Sequence, residues 1–167
     1  MSKSVLKSLF AQKSWANGEL FDALAAVAPS EHAAAIQTAI RTLNHIFVVD
    51  QIFRAHLLGE QHGYAATNTA DMPDVGSLNF AVAETDLWFE DYVAGITDDR
   101  LAESLAFQFT DGDAGRMTRE EILSHVITHG AYHRGNVGQV LKGLDITPPR
   151  DLFTKFLHLR EPQRRQA

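Results

Sequence analysis

Helical periodicity constrains this chain most strongly, because apolar residues recur at spacings of three and four over four long stretches. Turn-forming residues separate the stretches. The predicted helices span residues 4–27, 30–58, 77–95 and 118–142. Between the third and the fourth, residues 105–109 alternate in polarity, and Asp111-Gly112 predicts a turn into a short return strand over residues 114–117. The pattern therefore indicates an all-α four-helix bundle with a small β-hairpin between helices 3 and 4.

Several residues mark where these helices begin and end. Ser30 is a suitable N-cap for the second helix, Thr118 and Glu121 form a T-x-x-E capping box for the fourth, and Gly143 is well placed at C′. Asn17-Gly18 interrupts the first helix. Residues 59–76 form a longer connection than bundles normally use, which predicts a parallel crossover or a functional loop.

The length of 167 residues suits a single domain. We assign residues 1–160 to that domain, ending in a short helix over 151–159, and residues 161–167 to a loose C-terminal tail. The net charge of −6 disfavours nucleic-acid binding, and the absence of cysteine excludes disulfides and thiolate ligands. No apolar run is long enough for a membrane span and none resembles a signal peptide, so we expect a cytoplasmic protein without a membrane partner.

Three of the eight histidines lie within residues 124–134. On a helical wheel, His129 and His133 fall within about 20° of the centre of the apolar stripe, whereas His125 lies about 60° away. The two inward histidines stand one turn apart, which is the spacing of an H-x-x-x-H metal clip. A hydrogen-bonded structural pair fits the same spacing equally well, so the spacing alone leaves both interpretations open.

A metal would need a third ligand from another helix, and the second helix offers His45 and His56. They share a face but stand about 16 Å apart along the helix axis, so only one of them can reach the same ion. His45 lies mid-helix and His56 lies near the helix end, and periodicity does not choose between them. Arg134, directly after His133, is either a solvated or ion-paired side chain, or a residue that supports a metal ligand or contacts a substrate anion.

The remaining expectations concern histidines and aromatic residues away from this pattern. The other histidines are expected to be exposed: His32, His62 and His158. We expect Trp15, Trp88 and Phe89 to belong to the core.

The segment H-V-I-T-H-G-A-Y-H-R-G-N at residues 125–136 resembles the signature of the DinB-like (DinB/YfiT) superfamily, and residues 43–50 resemble its second motif. The similarity covers nearly the whole chain. It implies an up-down-down-up four-helix bundle, often a homodimer, with one divalent metal held by three histidines. Carried onto this chain, those ligands are His45, His129 and His133. The glutamine that usually follows H-R-G is Asn136 here.

Three imidazoles leave coordination positions open, as in catalytic metal sites. Zinc or nickel suits imidazole best, and manganese and iron remain compatible. The resemblance extends to metal-dependent transferases that use low-molecular-weight thiols. We therefore expect an S-transferase acting on a small thiol and an electrophilic substrate, with Arg134 binding or orienting it.

Two alternatives remain open at this point. A metal-dependent hydrolase would require a general base, and the periodicity places neither Asp50 nor Glu121 on an inward face beside His45. A metal-binding or partner-binding protein without catalysis is the other alternative.

Overall fold

The computed structural model describes residues 1–27 and 29–166, with residues 29–31 described by their backbone alone. Helices account for most of this length. They are α1 (Lys3–Ala25), α2 (Pro29–Leu58), α3 (Val75–Gly95), α4 (Asp98–Leu101), α5 (Arg119–Lys142) and α6 (Phe153–Arg160). An antiparallel hairpin of β1 (Ser104–Gln108) and β2 (Ala114–Thr118) precedes α5, and a 3-10 turn over Pro162–Arg165 follows α6. The predicted class, an α-helical bundle with a β-hairpin and a short C-terminal helix, is confirmed.

Helices α1 and α3 pack against each other in opposite directions. The Phe10 ring stacks on Phe89 with centroids 5.2 Å apart. Further along α1, Asn17 Nδ2 donates to Asp86 Oδ2 at 2.7 Å. The residue numbers rise on α1 as they fall on α3, so the two helices are antiparallel.

Helices α2 and α5 form the second antiparallel pair. His45 lies near His133 (ring centroids 4.7 Å apart), whereas Phe53, two turns later on α2, lies near His125, two turns earlier on α5 (4.8 Å). This pairing brings the inward histidines of α5 against α2. It is therefore the part of the fold that builds the candidate site.

Helices α2 and α3 run in the same direction, although they follow each other in the chain. Gln51 Nε2 donates to Thr85 Oγ1 at 2.6 Å, and the guanidinium of Arg54 lies over the Trp88 ring. Residue numbers rise together on the two helices. The connection between Leu58 and Val75 is thus the predicted crossover, and the four long helices have up-down-down-up order.

The core consists of two apolar clusters at different levels of the bundle. Leu6 and Phe10 of α1 belong to one cluster, which also takes in the hairpin side of α5. Leu20 and Leu24 of α1 belong to the other. Polar α1 residues, among them the fully buried Lys13, lie between the two levels. The middle of the bundle is therefore polar.

The capping box predicted for α5 is present, because Thr118 and Glu121 each bond the other's backbone N–H. Gly143 is the C-cap with right-handed φ of −64°, not a left-handed C′ residue, and Asp145 takes the positive φ of 59° instead. The interruption expected at Asn17-Gly18 is wrong, since α1 runs through it. Tertiary packing of the flanking apolar residues outweighs the low helix propensity of these two residues.

Some predictions on boundaries differ in detail or remain open. Helix α4 was not predicted, and α6 begins at Phe153, later than expected. The predicted N-cap Ser30 lies where side chains are outside the described residues. The assignment of residues 1–160 to a single domain with a loose tail remains a prediction. Within the described chain, no helix combines the length and apolar character that a membrane span requires.

Candidate metal centre

Three imidazole rings meet between α2 and α5. His45 comes from α2, and His129 and His133 come from successive turns of α5. The ring centroids are 4.9 Å apart for His45–His129, 4.7 Å for His45–His133 and 4.5 Å for His129–His133. One nitrogen from each ring lies within 4.8 Å of the other two. The structure therefore gathers the three residues that the sequence resemblance selected into a group that could hold a metal ion.

The nitrogen geometry of this group fits a small divalent cation. His45 Nε2 and His129 Nε2 are 3.1 Å apart. Two imidazole nitrogens on a tetrahedral zinc ion are separated by about 3.3 Å, given zinc–nitrogen bonds of about 2.0–2.1 Å. Two ring nitrogens at this distance must either share a proton or share a cation. The donor set of three imidazoles suits zinc, nickel, copper or iron.

The orientation of the His45 ring is set by a backbone carbonyl. His45 Nδ1 lies 2.7 Å from the carbonyl oxygen of Thr67, which can only accept a hydrogen bond. Nδ1 therefore carries the proton, and the lone pair of Nε2 points at the other two rings. A ligating histidine is commonly held in this way by a partner on its other nitrogen.

Burial keeps the rings of α5 in the neutral form that binds metal. Burial, followed by the neighbouring His133, His45, His125 and Lys13, lowers the pKa of His129 to about 3. Burial, followed by the nearby His45, also lowers the pKa of His133. Near pH 7 both rings are therefore deprotonated and have a lone pair available.

The crossover connection is attached to α2 beside the site. Asn44 Nδ2 donates to Asn68 Oδ1 at 2.7 Å and to Thr69 Oγ1 at 2.8 Å. Thr69 Oγ1 in turn donates to the carbonyl oxygen of Asp71 at 2.6 Å. These bonds fix the segment that contains Thr67. The loop that the sequence suggested as functional therefore orients one member of the group.

The site has an open side at His133. Its ring is only partly buried, and the Tyr132 ring beside it is 70 % exposed, with centroids 5.0 Å apart. His129, by contrast, lies deeper, and within the described residues its Nδ1 is buried without a hydrogen-bond partner. A small molecule would reach the three rings from the Tyr132 side.

The alternative ligand His56 is not part of this group. Its ring stacks on Phe107 of β1 with centroids 4.6 Å apart and packs against His62 at 5.2 Å. His62 was expected to be exposed but is half-buried by this contact, and His32 and His158 are also half-buried. His125 stacks on His129 yet stays outside the ligand group.

The structure also contains buried charges that the sequence analysis missed. Lys13 Nζ lies 2.8 Å from Asp50 Oδ2 and 2.5 Å from Asp86 Oδ1, and all three side chains are buried. Asp50, which the periodicity placed off the inward face, is therefore buried, although it does not join the histidine group. The spacing of four between Lys13 and Asn17, within the apolar stripe of α1, was the signal available in the sequence.

Arg134 belongs to the same buried polar region. Only 3 % of it is exposed. Its Nε donates to Asp151 Oδ2 at 2.7 Å and its Nη1 to Asn17 Oδ1 at 3.2 Å. Arg134 thus connects α5 to α1 and to the chain before α6.

The three aromatic residues expected in the core differ in burial. Phe89 is fully buried, whereas Trp15 and Trp88 lie half-buried at the edge.

Comparison with known proteins identifies the family of this chain. The family model described as the DinB family matches residues 1–165. This chain belongs to the DinB family. This DinB family chain is 23 % identical over 147 residues to Protein DinB of Bacillus subtilis (strain 168). The aligned region covers 80 % of this chain and 83 % of that protein. No solved structure gives a significant match.

Proposed function

We propose that this DinB family member is a metal-dependent S-transferase that joins a low-molecular-weight thiol to an electrophilic substrate. The observation that carries the proposal is the group of His45, His129 and His133. It supplies three imidazole nitrogen ligands, and in the described part of the chain no carboxylate joins them. Three ligands leave positions open for a guest, which distinguishes catalytic from structural metal sites.

A divalent cation bound here, with zinc or nickel as our proposal, would supply Lewis acidity that lowers the pKa of a coordinated thiol. The chain's own residues do the rest. Thr67 holds the His45 ring in one tautomer, and burial keeps His129 deprotonated. Arg134 follows His133 directly and connects α5 to α1, and we propose that it orients the site indirectly, by fixing the turn of α5 that carries His133.

The proposed reaction balances without an added oxidant or reductant. A carbon–sulfur bond forms as the bond from that carbon to its leaving group breaks, and the leaving group departs with the electron pair. The thiol proton passes to solvent. The chain contains no cysteine, so the sulfur must arrive with a small molecule.

A hydrolase is the second candidate, and the buried carboxylates give it limited support. Asp50 and Asp86 are bonded to Lys13, so neither joins the histidine group as a free base. A metal-binding protein without catalysis is the third.

We also propose that the protein is a cytoplasmic homodimer. Light scattering would give the mass of the assembly, and cell fractionation would give its location.

The decisive experiment begins with elemental analysis of freshly purified protein. The protein is then stripped with a chelator, reloaded with zinc or nickel, and mixed with small bacterial thiols and 1-chloro-2,4-dinitrobenzene. We expect conjugation above the uncatalysed rate only with metal. His129→Ala should abolish it together with metal binding, whereas His125→Ala, whose ring is adjacent but outside the group, should retain both.

The other outcomes separate the alternatives. Metal-dependent ester cleavage without any thiol would favour the hydrolase. One metal ion per chain with neither activity would favour a non-catalytic protein. Equal metal content in His129→Ala and wild type would disprove the ligand assignment itself.

A further inference from the structure

A cleft lies on the side of α5 that faces away from the three histidines, between α1, α5 and the chain that leads to α6. Its volume is about 290 Å³, close to the lower end of small-molecule sites. Its lining includes Trp15, Arg134, Gly135, Lys142, Pro148 and Arg150.

The cleft is separate from the three-histidine group. None of the three histidines lines it. On α5, Gly135 and Gly138 lie about 140–160° around the helix from His133, given about 100° per residue. The helix itself therefore stands between the two sites, and a ligand in the cleft would not touch a metal held by the histidines.

Arg134, which lines the cleft, has a buried donor that lacks an acceptor. Arg134 is 97 % buried, since only 3 % of it is exposed, and two of its nitrogens bond Asp151 and Asn17. Its third nitrogen, Nη2, is buried and has no hydrogen-bond partner among the described residues. A buried donor in this state is unfavourable, and an anionic acceptor would satisfy it with a charge-assisted bond.

The charges around the cleft leave a positive excess. Asp151 is paired with Arg134, and Glu19 is paired with Lys155 at 3.0 Å. Lys142 and Arg150 also line the cleft, and neither has an ion-pair partner in the described part of the chain. Two unpaired cations thus flank the buried guanidinium.

The rest of the lining is apolar and is shaped by glycine. Trp15 and Pro148 provide flat apolar surface. A Cβ built on Gly135 would meet no atom within 4 Å, so the space beside this residue is open. A Cβ on Gly138 would contact Pro148 at 3.5 Å. The cleft exists because α5 carries no side chain at these positions.

We infer that this cleft binds a small organic anion. Its carboxylate or phosphate accepts from Arg134 Nη2 between Lys142 and Arg150, and its flat apolar body lies against Trp15 and Pro148. The inference does not depend on the proposed transferase activity, because its residues and its test involve no metal.

The test uses Trp15 as an internal reporter. The chain has two tryptophans, so Trp88→Phe leaves only the one that lines the cleft. Phenylacetate, phenyl phosphate and neutral benzyl alcohol are titrated against metal-free protein. We expect saturable quenching by at least one anion and at least tenfold weaker binding of benzyl alcohol. The comparison of the two anions, with inorganic phosphate alone as a third arm, identifies the preferred charged group.

Variants then locate the binding. Lys142→Ala combined with Arg150→Ala changes two exposed side chains, and it should weaken anion binding at least fivefold. Gly135→Leu should fill the cleft and abolish binding. Gly18→Leu is the matched control, because the space beside Gly18 is also open but lies outside the cleft. Circular dichroism would verify that each variant is folded.

Three results would overturn the inference. They are equal binding of benzyl alcohol and the anions, unchanged binding in folded Gly135→Leu, and no saturable response from any probe.

Discussion

Lys13 Nζ lies 2.8 Å from Asp50 Oδ2 at a level of the bundle where neither side chain reaches solvent. Asp86 contacts the same ammonium group from α3. One cation thus compensates two carboxylates contributed by two other helices. Burial penalises all three charges, and only their mutual attraction and hydrogen bonds offset that cost. This cluster joins α1 and α3 to α2, the helix that also carries His45.

Lys13→Met should destabilise the fold strongly, because it leaves two buried carboxylates without their cation. Breaking a buried ion pair from one side typically costs about 3–5 kcal/mol. Urea denaturation followed by circular dichroism measures the loss. Lys7→Met, a change of an exposed lysine on the same helix, should cost little. Similar midpoints for the two variants would show that the buried cluster contributes no net stability.

Asp50 should make folding stability depend on pH in the direction opposite to most carboxylates. Burial raises the pKa of Asp50 to about 6, although Lys13 opposes the shift. The folded state therefore binds the proton more tightly than the unfolded state, whose pKa is about 3.9. The stabilisation from this group is complete below that pKa and is lost as pH rises through 6.

The matched variant for this effect is Asp50→Asn, which cannot titrate. The free energy of unfolding of wild type, minus that of Asp50→Asn, should fall by up to about 3 kcal/mol between pH 4 and pH 7. Urea titrations at several pH values give the difference. A difference that stays constant, or that rises with pH, would contradict the raised pKa.

The sequence predicted the structure best where a local pattern is compatible with only one conformation or one orientation. The T-x-x-E box placed the start of α5, and the wheel placed His129 and His133 inward. The sequence could not choose between His45 and His56 as the third ligand, because that choice depends on the register in which α2 packs against α5. The family resemblance selected His45, and the packing of Phe53 against His125 shows the register that brings it opposite the pair.

The buried charges were missed for a different reason. An analysis of periodicity assigns a lysine or an aspartate to the solvent face. It cannot detect that opposite charges on helices distant in sequence neutralise each other in the core. Lys13, Asp50 and Asp86 lie on three helices, and each is acceptable in the core only because the other two are there. The apolar stripe of α1 contained Asn17, and a polar residue in that place was the available hint.

Asn44→Ala should weaken metal binding without removing a ligand. It deletes the bonds that hold Asn68 and Thr69, and thereby releases the segment whose Thr67 carbonyl orients His45. Loss of such an outer support typically lowers metal affinity about 10- to 100-fold. Zinc competition with a chromophoric chelator measures the affinity.

The control for this prediction is Thr42→Ala, which lies three residues before His45 on α2. Its hydroxyl donates to the backbone carbonyl of Thr38 and, among the described residues, to no part of the loop. It should leave zinc affinity unchanged. Both proteins should still bind one ion per chain at saturation. An Asn44→Ala protein with wild-type affinity would mean that the loop does not position His45.

Thr118→Ala should destabilise the start of α5 and thus the helix that carries two of the histidines. It removes the acceptor for the Glu121 backbone N–H, which is 3.2 Å from Thr118 Oγ1, and caps of this kind contribute about 1 kcal/mol. Hydrogen bonding to the Thr118 backbone lowers the pKa of Glu121, so the stabilisation from the reciprocal bond is present above the normal glutamate pKa and is lost as pH falls through the depressed one. Thr128→Ala, on the exposed face of the same helix, is the control and should change stability far less. Equal denaturation midpoints for the two variants at pH 7 would show that the capping box contributes no measurable stability.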